Sequence, residues 1–205
     1  MLIGVDFDNT IVRYDNLFHT VALEQNLIPP SFPACKSAVR DFLRERKKED
    51  LWTEMQGYVY GERMTDAKPF PGVLDFFELC KTREITVCII SHRTQHPYLG
   101  PQYDLHQAAK EWLRRHEFFE ESKAALSSEE VFFEITKEKK LERIKSMGCT
   151  HFIDDLPEFL GDPNFPENVE RMNFIPEESE SSDGSFPRYS SWQQIQESLF
   201  RLIKS

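Results

Sequence analysis

Asp6 and Asp8 stand two residues apart in Asp6-Phe7-Asp8-Asn9-Thr10, at the end of the apolar run that starts at Met1. Two further polar endings follow: Ser91 after the run Ile85–Ile90, and Asp154-Asp155 after His151–Ile153. Runs of this length and composition read as buried strands, and ligands of an open parallel sheet bind beyond the carboxyl ends of its strands. Alternation turns Asp6 and Asp8 to one side and Phe7 to the other. Taken singly, each acid reads as a turn former or a helix cap. Four carboxylates converging from two strands repel one another and need a cation between them. Oxygen-only, carboxylate-rich ligation of that kind suits Mg²⁺.

The elements between these endings have a regular alternation. The stretch from Asp15 to Lys68 reads as helices: an apolar pattern through Leu17, Val21, Leu23, Leu27 and Ile28 is stopped by Pro29-Pro30, and helices over Lys36–Lys47 and Asp50–Tyr60 follow. After Pro69-Phe70-Pro71-Gly72 comes a helix with Val73, Phe76, Phe77 and Cys80 on one face. Ile85–Ile90 has the β-branched composition of a parallel strand covered on both faces. The spacing then predicts a long helix over Tyr103–Glu121, a strand over Val131–Ile135, a helix over Lys137–Met147 and a strand over His151–Ile153. A fifth strand over Val169–Ile175 and a closing helix over Ser191–Ile203 complete the chain. This alternation means an α/β fold with a parallel sheet. The tract Pro176–Ser185 reads as a solvated acidic loop. The loop His96–Gln102 is longer and richer in Pro and Gly than a crossover needs, and no role follows from its residues.

Composition narrows the classes. A chain of 205 residues with 40% hydrophobic and 13% aromatic residues can bury one substantial core. The formal net charge of −10 argues against binding nucleic acid or lying on anionic lipid, both of which need excess Lys and Arg. No stretch has the apolar length of a membrane span, and MLIGVDFD reads as a strand rather than a leader. Cys35, Cys80, Cys88 and Cys149 are scattered without a CxxC pair, which fits reduced thiols and a cytoplasmic setting. The sequence sets no oligomeric state.

These residues resemble the haloacid dehalogenase (HAD) superfamily. DFDNT is similar to its first motif, DxDxT. The strand CII followed by Ser91 is similar to the second, a lysine at a helix start to the third, and FIDD to the fourth. The resemblance implies a Rossmann-like sheet flanked by helices, with a core over 1–14 and 69–205 and an all-helical cap inserted over 15–68. It implies a Mg²⁺-dependent phosphatase of a small phosphorylated metabolite. Asp6 would be the nucleophile, forming an aspartyl-phosphate, and Asp8 the acid and base. Asn9, Thr10, Ser91, His92, Arg93 and the lysine would bind phosphate or substrate. Asp6, Asp8 through its carbonyl, Asp154 and Asp155 would hold the metal. An acid at Asp8 separates phosphate chemistry from dehalogenation. A sugar phosphomutase shares this pattern; a non-catalytic phosphate sensor on the fold would be marked by loss of a motif acid, and none is lost; a phosphonate hydrolase would need an imine-forming lysine, and Lys36, Lys47 and Lys48 show no apolar setting. For the third motif, periodicity places both Lys137 and Lys140 on the inward stripe of Leu141, Ile144 and Met147. The family pattern of a lysine just before the first apolar residue favours Lys140. Trp52, Tyr58, Tyr60, Glu62 and Arg63 of the insertion are candidate substrate contacts, with core packing the simpler role for Trp52 and Tyr58 and a surface charge for Arg63.

Overall fold

The computed structural model describes residues 1–176 and 186–201. Most of the acidic tract and the last residues of the expected closing helix lie outside them. The chain runs β1 (Leu2–Val5), β2 (Val12–Arg13), α1 (Asp15–Glu24), α2 (Lys36–Glu45), α3 (Glu49–Tyr60), β3 (Lys68–Pro69), α4 (Val73–Thr82) and β4 (Thr86–His92). It continues through α5 (Leu105–Arg115), β5 (Val131–Glu134), α6 (Lys137–Met147), β6 (His151–Asp154), α7 (Pro157–Leu160), β7 (Glu170–Phe174), β8 (Arg188–Tyr189) and α8 (Trp192–Arg201). Strands β2 and β3 pair with each other as a separate ribbon. Among the described residues no helix is long and apolar enough to cross a membrane.

The chain divides into two compact units, Met1–Ile11 with Pro69–His92 and Glu117–Ser205, and Val12–Lys68 with Arg93–His116. The first is a six-stranded sheet in the order β5-β4-β1-β6-β7-β8. Its pairings are all parallel. This is a Rossmann-like α/β layer fold. β1 lies between β4 and β6, with Gly4 opposite both Cys88 and Phe152. Because β1 is covered on both faces, its side chains are apolar throughout. Cys88, Ile90 and Phe152 pack under Leu141 and Ile144 of α6 and Phe159 and Leu160 of α7. A second cluster joins α4 to α8: Phe76 stacks on Trp192 at 4.9 Å, and Trp192 on Phe174 at 5.6 Å.

The second unit is helical. Phe18 and Trp52 stack at 5.0 Å, and Tyr14 meets Tyr60 edge-on at 5.0 Å. Val39, Leu43, Met55 and Val59 are buried beside the same helices' other apolar residues. This unit takes in Arg93–His116 as well as the 15–68 insertion. Trp112 of α5 is fully buried and donates its indole N–H to the Ala67 carbonyl at 2.9 Å, which ties α5 to this unit. The helix expected over Tyr103–Glu121 is shorter at both ends. Asp104 caps it, accepting from the Gln107 N–H, and Glu117, left-handed at φ 63°, turns the chain out of it.

Gly4 gives the first unit a narrow tolerance. A Cβ there would lie 2.5 Å from Phe152 Cδ2 and 3.1 Å from Cys149 Sγ. Phe152 is fully buried and cannot swing aside. Gly4→Ala should therefore cost about 1–3 kcal/mol by overpacking, read as a lower urea midpoint.

Candidate active site

The loop after β1 carries the first acids. Ile11 N–H returns to the Phe7 carbonyl at 3.0 Å, so Asp8-Asn9-Thr10 winds as one turn, and Asn9 takes the left-handed conformation (φ 59°) that asparagine tolerates. Phe7 turns to the other side, as alternation requires, is fully buried, and meets Phe133 at 5.5 Å. The Thr10 carbonyl accepts from the Trp192 indole at 3.1 Å. The Asp6 N–H is itself paired with the Ile153 carbonyl at 2.9 Å, so its backbone belongs to the sheet.

Lys140 is the centre of the arrangement. It is 3% exposed, and its Nζ donates to Asp6 Oδ1 and to Asp154 Oδ2, each at 2.6 Å. Ser91 Oγ donates to the same Asp6 Oδ1 at 2.9 Å, while Thr10 Oγ1 lies 3.5 Å from Oδ2. Lys137 is exposed at the first position of α6, so the helix stripe carries only one of the two lysines inward. Thr136 caps that helix by accepting from the Lys139 N–H. The Lys140 ammonium also lies 4.1 Å above the Phe159 ring, whose face attracts a cation.

Asp154 is fully buried and held from two sides. Its Oδ1 accepts from the Leu156 N–H at 2.8 Å, and its carbonyl accepts from Asn173 Nδ2 at 3.0 Å. Asn173 is not a candidate on the motifs alone. Its signal was there: a lone amide inside the apolar strand Met172-Asn173-Phe174, opposite Asp154 in the β6–β7 register.

One lysine serves several acids, and the charges show it. Burial drives the Asp6 pKa up, Lys140 pulls it down, and Asp154 and Asp8 push it up again; the outcome is a rise from 3.8 to about 7. Desolvation pulls Lys140 down, but Asp154 and Asp6 outweigh it and hold the lysine above its ordinary value. Asp6, Asp154 and Asp155 each offer a carboxylate oxygen, and these lie within 4.8 Å of one another. Hard oxygen donors in excess of the one buried ammonium are the donor set that a divalent cation such as Mg²⁺ takes. The residues present fit that ion.

The other candidates are placed as follows. Asp8 and Asp155 are half-buried, Thr10 is buried, and His92 is exposed one residue past Ser91 at the end of β4. Arg93 belongs to the second unit, where its guanidinium is buried and donates to the carbonyls of Leu105 at 3.1 Å and Tyr60 at 3.0 Å. In the same unit Trp52 is buried and Tyr58 half-buried, while Arg63 pairs with Glu24 and Asp66. The apolar setting that the sequence denied Lys36 exists. Its Nζ lies 5.6, 5.3 and 5.5 Å from the ring centres of Tyr14, Phe18 and Tyr60. Those rings attract an ammonium, whereas an imine-forming lysine needs its neutral amine.

No protein-family model matches the chain, and no curated protein does. Solved structures do match over nearly the whole length. A predicted phosphatase from Clostridium acetobutylicum superposes with a TM-score of 0.63 at 12% identity, covering 98% of each chain. A HAD family hydrolase from Deinococcus radiodurans, with bound phosphate and sodium, gives 0.62 at 12% identity over 98% of this chain and 95% of that one. A dehalogenase gives 0.57 at 9% identity over 96% and 95%. The chain has the fold of the HAD-superfamily hydrolases.

The raised Asp6 pKa has a testable sign. A folded-state value near 7 against an ordinary 3.8 means stability present below about pH 3.8 and lost as pH rises through 7. In excess chelator, wild type should lose on the order of 2 kcal/mol between pH 5 and 8 relative to Asp6→Asn, which has no carboxylate to ionise. Denaturant melts of both proteins across that range measure it, and parallel curves would contradict the charge crowding.

Proposed function

We propose that the chain is a Mg²⁺-dependent phosphatase that hydrolyses a small phosphomonoester through an aspartyl-phosphate on Asp6. The observation that carries this reading is the convergence of the four motif groups, with Lys140 Nζ shared by Asp6 and Asp154 and Ser91 Oγ on Asp6. Ser91 and Lys140 fix the orientation of the Asp6 carboxylate before substrate arrives, which is the larger part of what a displacement at phosphorus asks of a protein. Asp6 would attack phosphorus as the bond to the leaving oxygen breaks, and Asp8 would give that oxygen its proton. Asp8 would then take a proton from the water that attacks phosphorus, releasing phosphate and restoring Asp6. Ser91 and Lys140 would hold the phosphoryl oxygens through charge-assisted contacts, and Asn9 and Thr10 would line the same turn. Asp6, Asp154 and Asp155, with the Asp8 carbonyl, would hold Mg²⁺, which would offset the charge of the phosphoryl oxygens.

Asp8 favours phosphate chemistry over that of the dehalogenase among the similar structures, since the acid has a leaving oxygen to protonate. The insertion over 15–68 would act as the cap that selects the substrate. The buried free thiols of Cys80, Cys88 and Cys149 support a reducing, cytoplasmic setting. Release of inorganic phosphate from a metabolite panel with Mg²⁺ tests the reaction, and interconversion of sugar phosphates without release would favour a mutase instead.

Two outcomes are expected. Chelator should abolish turnover of an aryl phosphate and added Mg²⁺ should restore it; hydrolysis undiminished in chelator would remove the metal from the reading. Lys140→Met should lower the rate roughly 10- to 150-fold by removing a contact worth about 1.5–3 kcal/mol, whereas Lys137→Met should stay near wild type.

A further inference from the structure

The loop His96–Gln102, which the fold does not need, is built to be rigid. Gly57 lies inside α3, where glycine costs about 1 kcal/mol against alanine, and Gly61 follows at its end. A Cβ on Gly57 would lie 2.7 Å from Pro97 Cβ, and one on Gly61 would lie 2.5 Å from Tyr103 Cβ. Both glycines are therefore the seats on which the two ends of the loop rest. The loop is also braced from within. His96 Nδ1 lies 3.0 Å from the Tyr103 carbonyl, and Gln102 Nε2 donates to the carbonyls of Pro97 and Gly100 at 3.4 and 3.3 Å. Gly100 supplies the left-handed turn (φ 84°) against the Glu54 side chain.

What this braced loop presents is apolar. Tyr98 is 80% exposed and Leu99 38%, and Leu51, one turn before Glu54 on α3, is 37% exposed. A tyrosine held out on a stiff loop has little conformational freedom left to lose on contact, and tyrosine is enriched where binding energy concentrates. Three acids adjoin these residues: Asp50 precedes Leu51, Glu54 lies against Gly100, and Glu62 follows Gly61. Asp50, Glu54 and Glu62 are exposed, and no salt bridge among the described residues engages them. Like charges would oppose a second copy on the same face, an anionic membrane or a nucleic acid.

We propose that Tyr98, Leu99 and Leu51, rimmed by Asp50, Glu54 and Glu62, form a docking surface for a basic polypeptide segment carrying an apolar anchor between Lys or Arg residues. This surface is independent of the hydrolase reading. The test uses short fluorescent peptides of three compositions: basic with Leu and Trp, acidic with Leu and Trp, and basic without apolar residues. Titrated with the full chain, the first class should bind at least about tenfold tighter than the other two. Tyr98→Ser combined with Leu99→Ser should weaken it by about tenfold or more, with thermal melts confirming the fold. Glu54→Lys should weaken the basic peptides as well.

Several results would overturn the proposal. They are equal binding of the three compositions, binding unchanged by the double substitution, a dimer in sedimentation that the double substitution dissolves, or a raised KM for aryl phosphate without peptide binding.

Discussion

Charge crowding at the carboxyl edge of the sheet governs this structure. Asp6 and Asp154 are both withdrawn from water, and a single ammonium, that of Lys140, stands between them. Burying ions costs several kcal/mol each, and pairing recovers this only where every remaining lone pair is satisfied. The surroundings meet part of that demand. Ser91 supplies a hydroxyl to Asp6, the Leu156 N–H serves the Asp154 carboxylate while the Asn173 amide holds the Asp154 backbone carbonyl, and the Phe152 and Phe159 rings face the ammonium. Each of these partners comes from a different strand, helix or turn, so the sheet order and the site are one constraint seen twice.

That order places β1 in the middle. Only a central strand can bring its terminal acid beside groups ending both β4 and β6, and centrality explains why Leu2–Val5 has no polar side chain. It also explains Gly4, where the phenyl ring of Phe152 occupies the room a side chain would take. Packing and electrostatics meet on α6: Leu141 and Ile144 fix its rotation against the sheet, and that rotation turns Lys140 toward the acids.

Legibility in the sequence follows the range of the interaction concerned. Strand cores, the extent of α6 and the polar endings at Asp6, Ser91 and Asp154 were readable because composition and period are local. Period leaves Lys137 and Lys140 equivalent, since both sit on one stripe; position along the helix separates them in space, the first turn leaving Lys137 in solvent while Lys140 reaches Asp6. Asn173 was overlooked because a polar residue in a strand has meaning only once its register partner is known. Arg93 stands two residues from Ser91 in sequence, yet one residue past the strand the chain enters the other unit and its guanidinium binds carbonyls there. The setting of Lys36 is invisible in its flanking residues, because its aromatic neighbours come from α1, α3 and the residue before α1.

The bond from the Trp192 indole to the Thr10 carbonyl has a consequence for how the molecule is made. The turn carrying Asp8 and Thr10 is synthesised before the strands beside it: β1 pairs with residues some eighty and one hundred fifty positions later, and the brace on Thr10 arrives with α8. During translation Asp6 and Asp8 therefore leave the ribosome long before Lys140, whose ammonium pairs with Asp6. Contacts of such sequence separation slow folding and leave the early strand uncovered in the meantime. A nascent chain would hold the Asp8–Thr10 turn in solvent until α8 has emerged, so this turn gains its brace long after the strand that carries it has been made.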